Sequence, residues 1–95
     1  MTAEQRCVHV IVRGRVQGVY YRGWTNEQAM TLALDGWVRN RRDGTVEAVL
    51  NGTVQAVTKM LEMMRDGPRD AVVETIEIVS EGGSAPSGFS VLPTQ

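Results

Sequence analysis

The run Gly14-Arg15-Val16-Gln17-Gly18-Val19-Tyr20-Tyr21-Arg22 constrains this chain more than any other stretch. Before it, Val8, Val10 and Val12 alternate with Cys7, His9 and Ile11, the period of a strand. Most of those positions are apolar, which suits a central strand. After it, from about Gly23 to Leu34, helical spacing fits better than alternation. Trp24, Gln28 and Leu32 share one stripe, with Tyr21, Thr25 and Ala29 beside it. A strand, a short loop and a helix must therefore follow one another within the first third of the chain.

The loop is unusual in its exclusions. It holds two glycines, no proline and no carboxylate, and Arg13, Arg15 and Arg22 surround it. Proline would remove an N–H donor, and a carboxylate would repel an anion. What remains can turn several backbone N–H groups inward at the positive end of a helix dipole. An arginine at the helix start adds a two-pronged contact to phosphate oxygens. The pattern reads as a phosphate cradle. It equally fits a plain tight turn, and it matches neither the P-loop nor the three-glycine dinucleotide fingerprint.

Charge distribution sharpens the ligand class. The net charge is only -1, yet residues 1–44 carry seven Lys/Arg against four Asp/Glu, and residues 45–95 three against seven. The basic excess sits with the loop and with Arg39-Asn40-Arg41-Arg42. That favours a small anion over a long polyanion, which needs a broader basic stripe. A single cysteine, Cys7, cannot form an internal disulfide and fits a reducing compartment. No apolar run approaches the ~18 residues of a membrane span, and residues 1–6 lack a signal-peptide core. The expected location is the cytoplasm.

Further along, Trp37 to Arg42 and Thr45 to Leu50 read as two strands joined at Asp43-Gly44, a two-residue hairpin signal. Such a loop sets Arg42 opposite Thr45, Asn40 opposite Glu47 and Val38 opposite Val49. A longer loop would shift that register. Thr53 reads as an N-cap, and Val57, Met60, Leu61 and Met64 form the clearest amphipathic helix, ended by Gly67-Pro68. Ala71 to Val79 is a strand whose broken two-residue period implies a bulge or an edge. A Gly/Pro loop over 81–87 leads to a short closing strand, Gly88 to Leu92. The order is β-α-β-β-α-β plus a small last strand, two helices on one face of an antiparallel sheet. We expect one domain over 1–95, with 1–6 a loose lead-in.

The same residues limit the chemistry. One His and one Cys cannot build a transition-metal cluster, and no calcium-loop spacing occurs. His9 has no nucleophile partner, and no carboxylate pair flanks the loop. Hydrolysis of a mixed carboxylic–phosphoric anhydride would suit such a site, because the leaving carboxylate needs no proton. The catalyst must hold the phosphoryl group, balance its charge and aim a water. Loop amides and Arg22 suit the first two tasks. The carboxamide of Asn40 suits the third, although an ordinary exposed strand residue fits Asn40 as well.

Gly14 to Val19 followed by Tyr20-Tyr21-Arg22 resembles the first signature of the acylphosphatase family. Gly36-Trp37-Val38-Arg39-Asn40 with Asp43-Gly44-Thr45-Val46-Glu47 resembles the second. The order agrees, Gly67-Pro68 with Ala71 and Val73 fits the later pattern, and the resemblance covers roughly residues 7–92. It implies a ferredoxin-like α/β sandwich that hydrolyses acyl phosphates to a carboxylate and inorganic phosphate, with no metal or other cofactor. Arg22 matches the phosphate-binding arginine and Asn40 the water-orienting asparagine. Arg15, Val16, Gln17, Gly18, Val19 and Tyr20 match the loop whose amides bind the phosphate. Two departures stand out. Ala33 replaces the usual glycine, so that helix end is expected to close differently. Tyr20 and Tyr21 replace phenylalanines.

The partners expected are an acyl phosphate and inorganic phosphate as product and inhibitor, with no nucleic acid, no membrane and a monomeric chain. A non-catalytic ferredoxin-like module binding an anion through the same loop is the competing reading. An RNA-binding role would need exposed sheet aromatics in an RNP pattern, which the central strands do not offer. Similar domains begin large hydrogenase-maturation proteins. The cysteine pairs that follow there are missing here, so a stand-alone enzyme is expected.

Overall fold

The computed structural model describes residues 4–95. Its elements are β1 (Gln5–Arg15), α1 (Tyr21–Thr31), β2 (Asp35–Asn40), β3 (Val46–Thr53), α2 (Val54–Asp66), β4 (Val72–Glu81) and β5 (Phe89–Val91). The sheet runs in the order β4-β1-β3-β2-β5, so β1 has a neighbour on each side, as its apolar run implies. Val8, Val10 and Val12 of β1, Val38 of β2, and Val46, Ala48 and Leu50 of β3 are all buried. They meet Tyr21, Thr25 and Ala29 of α1 and Val57, Met60 and Met64 of α2. On α1 it is thus the stripe beginning at Tyr21 that is buried. Trp24 and Leu32 pack at its margin.

Strand β1 starts earlier than hydropathy suggests. Gln5 and Arg6 pair with Thr53 and Gly52, and Val54 donates its N–H to the Glu4 carbonyl at 3.0 Å. The Arg6 guanidinium binds Glu81 at 2.8 Å and the Thr58 hydroxyl at 3.1 Å. Polar side chains here are held by neighbours distant in sequence. The expected lead-in over 1–6 is therefore strand at Gln5 and Arg6, and its first three residues lie outside the described part.

The hairpin register also differs, by one residue. Asn40 pairs with Val46, Arg39 with Glu47 and Val38 with Ala48. Asp43 causes the shift: its carboxylate accepts both the Thr45 N–H at 3.0 Å and the Thr45 hydroxyl at 2.6 Å. Those bonds also hold the Asp43 carboxyl below its usual range. Arg41 then closes the loop by donating its N–H to the Thr45 carbonyl, with Gly44 at φ +91°. This is a three-residue loop with a left-handed glycine rather than a two-residue one. The slip sets Arg39 opposite Glu47 and Asn40 opposite Val46, and Asn40, two residues from Val38, shares its buried side.

Two further expectations change. The sheet is mixed, because β5 lies parallel to β2, with Gly36, Trp37 and Val38 paired to Phe89, Ser90 and Val91. And α1 closes on Ala33 in the manner usual for glycine. Ala33 adopts φ +56°, its N–H bonds the Met30 carbonyl at 3.1 Å, and the Leu34 N–H bonds the Ala29 carbonyl at 2.9 Å. That is the paired capping pattern of a left-handed helix end, built at an alanine's steric cost. The anticipated features of β4 hold: it is an edge strand, and its register against β1 slips twice. Thr53 caps α2 by accepting the Ala56 N–H at 3.1 Å.

On the opposite face of the sheet, Glu47 is buried among charged neighbours. It accepts Arg39 Nε at 2.7 Å, and His9 Nε2 lies 2.6 Å from its other oxygen. Arg39 stacks over the half-buried Trp37 ring at 4.7 Å. Burial alone would push the Glu47 carboxyl up. The hydrogen bonds from Arg39 and His9 outweigh it and leave the group below its usual range.

Candidate active site

At the end of the sheet where β1 runs into α1, a cleft of about 310 Å³ opens. Arg22, Asn40, Val16, Gly18, Tyr20, Tyr21, Gly23 and Val91 line it. The elements explain the convergence. Val16 and Val19 are buried and pin both ends of the loop into the core. Between them the backbone turns through Gly18 at φ +73°, a conformation that suits glycine. Tyr20 follows at φ +66°, uncommon for a bulky residue and costing on the order of 1–3 kcal/mol. Tyr21 anchors the first turn of α1, its hydroxyl donating to the Met64 carbonyl at 2.7 Å. Arg22 follows it in that first turn, which contains no acidic residue.

The polar groups around the cleft are left open. Among the described residues, no acceptor takes up the backbone N–H of Gln17, Gly18, Val19 or Tyr20. No carboxylate there is within ion-pair distance of Arg22. Asn40 is 9 % exposed, and its buried Oδ1 has no hydrogen-bond partner among the described residues. A buried carboxamide oxygen in that state is costly unless something else binds it. The Asn40 main chain, by contrast, is fixed: its carbonyl accepts the Gln95 N–H at 3.1 Å.

Of the residues singled out in the sequence, Arg22, Asn40, Val16, Gly18 and Tyr20 meet at this cleft. Val19 lies buried beneath the loop. Arg15 is the exposed last residue of β1, paired with Val72, and its side chain is not among the lining groups. Gln17 turns its side chain to the hairpin instead, where Nε2 donates to the Arg41 carbonyl at 2.8 Å and the Thr45 carbonyl at 2.9 Å. Sequence reasoning missed Gly23, Val91 and, as a wall of the cleft, Tyr21. A glycine inside a helix was a usable signal for the first. A Cβ on Gly23 would stand 2.3 Å from the Tyr20 ring, so the ring needs that gap. For Val91 no signal existed, because its place depends on β5 lying parallel to β2. Among the described residues, no group of three or more His, Cys, Asp or Glu side chains is placed to hold a metal ion.

A five-stranded sheet with both helices on one face, and a glycine loop leading into Arg22 at its end, defines an α+β scaffold of the ferredoxin-like type. Comparison with known proteins narrows this. The family model described as acylphosphatase matches residues 8–91. A curated protein named acylphosphatase from Azorhizobium caulinodans is 50% identical over 88 residues, spanning 92% of this chain and 95% of that one. A crystal structure of acylphosphatase from Bacillus subtilis superposes with a TM-score of 0.85 at 33% identity, covering 94% of this chain and 99% of that one. The structure of an acylphosphatase from Coxiella burnetii gives 0.82 at 34% identity, with 93% of each chain covered. The chain belongs to the acylphosphatase family.

Proposed function

We propose that this chain, acting as one domain over residues 1–95, hydrolyses acyl phosphates without a metal ion, through Arg22, Asn40 and the amides of the 15–20 loop. A single observation carries the assignment: among the described residues, Arg22 without an ion-pair partner, Asn40 with an unpartnered buried carboxamide oxygen, and Gly18 and Tyr20 with unspent backbone N–H groups line one cleft, beside the unspent N–H groups of Gln17 and Val19 in the same loop. The donors and Arg22 face the phosphoryl oxygens, at the positive end of α1. Asn40 Oδ1 accepts a hydrogen from the attacking water and holds its oxygen toward phosphorus. The new bond joins that oxygen to phosphorus, and the bond from phosphorus to the acyl oxygen breaks. The carboxylate leaves with the bonding electron pair, and both protons of the water stay with the dihydrogen phosphate. No acid is needed at the leaving group, which is why a site without a titrating side chain suffices.

Inorganic phosphate fits the same donors and inhibits by competition. We further propose that the chain works as a monomer, since every group named above comes from one copy, and in the cytoplasm, whose reducing conditions suit its single cysteine. The test is turnover of benzoyl phosphate by the wild-type chain in the presence of a chelator. Release of benzoate and phosphate well above the buffer rate is expected. A rate equal to buffer would favour an anion-binding module with no chemistry, and activity abolished by the chelator would contradict metal independence.

A further inference from the structure

We propose that Gln17 is a positioning residue that sets the distance between the phosphate loop and Asn40. The inference rests on the acyl-phosphate reading of the cleft. Both Nε2 hydrogens of Gln17 are spent on the hairpin: one goes to the Arg41 carbonyl at 2.8 Å and one to the Thr45 carbonyl at 2.9 Å. Those two residues close the β2–β3 loop on each other, the Arg41 N–H bonding the Thr45 carbonyl at 2.9 Å. They are the immediate neighbours of Asn40 and Val46, the last pair of the ladder. One carboxamide therefore clamps the middle of the phosphate loop to the base of the hairpin, one residue from Asn40.

The loop otherwise has its own anchors. Val16 and Val19 are buried, and Gly18 and Tyr20 fix the turn by their left-handed backbone. None of these reaches the hairpin through a hydrogen bond among the described residues. Without the clamp the cradle keeps its shape, and what loosens is its placement against the carboxamide that aims the water. A shift of about 1 Å between reacting groups can cost on the order of a hundredfold in rate. The loss falls on the chemical step, because phosphate is held by the loop and Arg22 whichever way Asn40 sits.

Two variants remove the donors without adding charge: Gln17→Met, which keeps the length of the side chain, and Gln17→Leu. With benzoyl phosphate, each should lower kcat by roughly tenfold or more while competitive inhibition by inorganic phosphate changes by less than about threefold. Each is then combined with Asn40→Ala. If Gln17 acts through Asn40, the second substitution costs less than about twofold in kcat in that background. Effects that multiply independently would overturn the proposal, as would wild-type kcat in either variant or a loss carried wholly by phosphate affinity. A wild-type chain that turns over no acyl phosphate is a different result: it removes the underlying functional reading, whatever the variants do.

Discussion

The two polar clusters of this molecule have opposite bookkeeping. On the open face of the sheet, Glu47 is 4 % exposed and its oxygens are taken by Arg39 at 2.7 Å and His9 at 2.6 Å. At the end of the sheet, Arg22 has no ion-pair partner among the described residues, Asn40 Oδ1 has no hydrogen-bond partner and four loop amides have no acceptor. Both clusters contain an arginine and a buried side-chain oxygen. The first stabilises the fold because its groups complete one another. The second is left incomplete, and incompleteness beside a cleft is what a ligand can answer. The two ends of α1 repeat the contrast. Tyr20 and Ala33 both take left-handed backbone, but the carbonyls at the Ala33 end are closed by the chain, and the donors at the Tyr20 end are not.

The contrast breaks most visibly at Arg22. Arg22→Ala should lower kcat/KM for benzoyl phosphate by about 10³-fold or more and remove inhibition by inorganic phosphate, since charge is lost from ground and transition states alike. Normal phosphate inhibition in that variant would detach Arg22 from the anion. Asn40→Ala should cost about 10²-fold in kcat with phosphate inhibition nearly intact. Equal losses in both measurements would end its water-aiming role.

The paired cluster should respond in the other currency, stability. Glu47→Gln leaves Arg39 without its carboxylate and should cost about 2–3 kcal/mol at pH 7 by denaturant titration, toward the low end for a buried pair because Arg39 keeps some solvent. Turnover per folded molecule should not change. The folded-state carboxyl lies below its ordinary 4.5, so this contribution is full above that pH and is lost as pH falls through the lower folded value. The gap between wild type and variant should therefore narrow below about pH 4.5. A gap that widens on acidification would contradict the pairing. Smallest of all, Ala33→Gly should add roughly 0.5–1 kcal/mol of stability by relieving a left-handed alanine, with no change in kcat. A loss of stability would show that Ala33 is unstrained.

Much of this is legible in the sequence itself. Strand period, helix stripe, the Thr53 cap and the Gly/Pro breaks placed all seven elements near their observed positions, because each is decided by residues close in sequence. Arg22 and Asn40 were legible for another reason, as matches to two family signatures. What could not be read depended on distant partners. The strand at Gln5 and Arg6 needs Thr53, Thr58 and Glu81. The hairpin register turned on whether the Asp43 carboxylate would take the Thr45 N–H and hydroxyl, a choice that dipeptide statistics do not contain. The Gln17 side chain was equally hidden: its neighbours in sequence pointed to backbone binding, and its bonds are made to residues 24 and 28 positions away.

The most direct test follows the amide signals of the isotopically labelled protein as inorganic phosphate is added. The largest shifts should fall on Gln17, Gly18, Val19, Tyr20 and Arg22, saturating together, while His9, Arg39 and Glu47 stay still. Saturable shifts centred on the Glu47 cluster, or none in the loop at phosphate levels that inhibit turnover, would mean the open donors do not hold the anion.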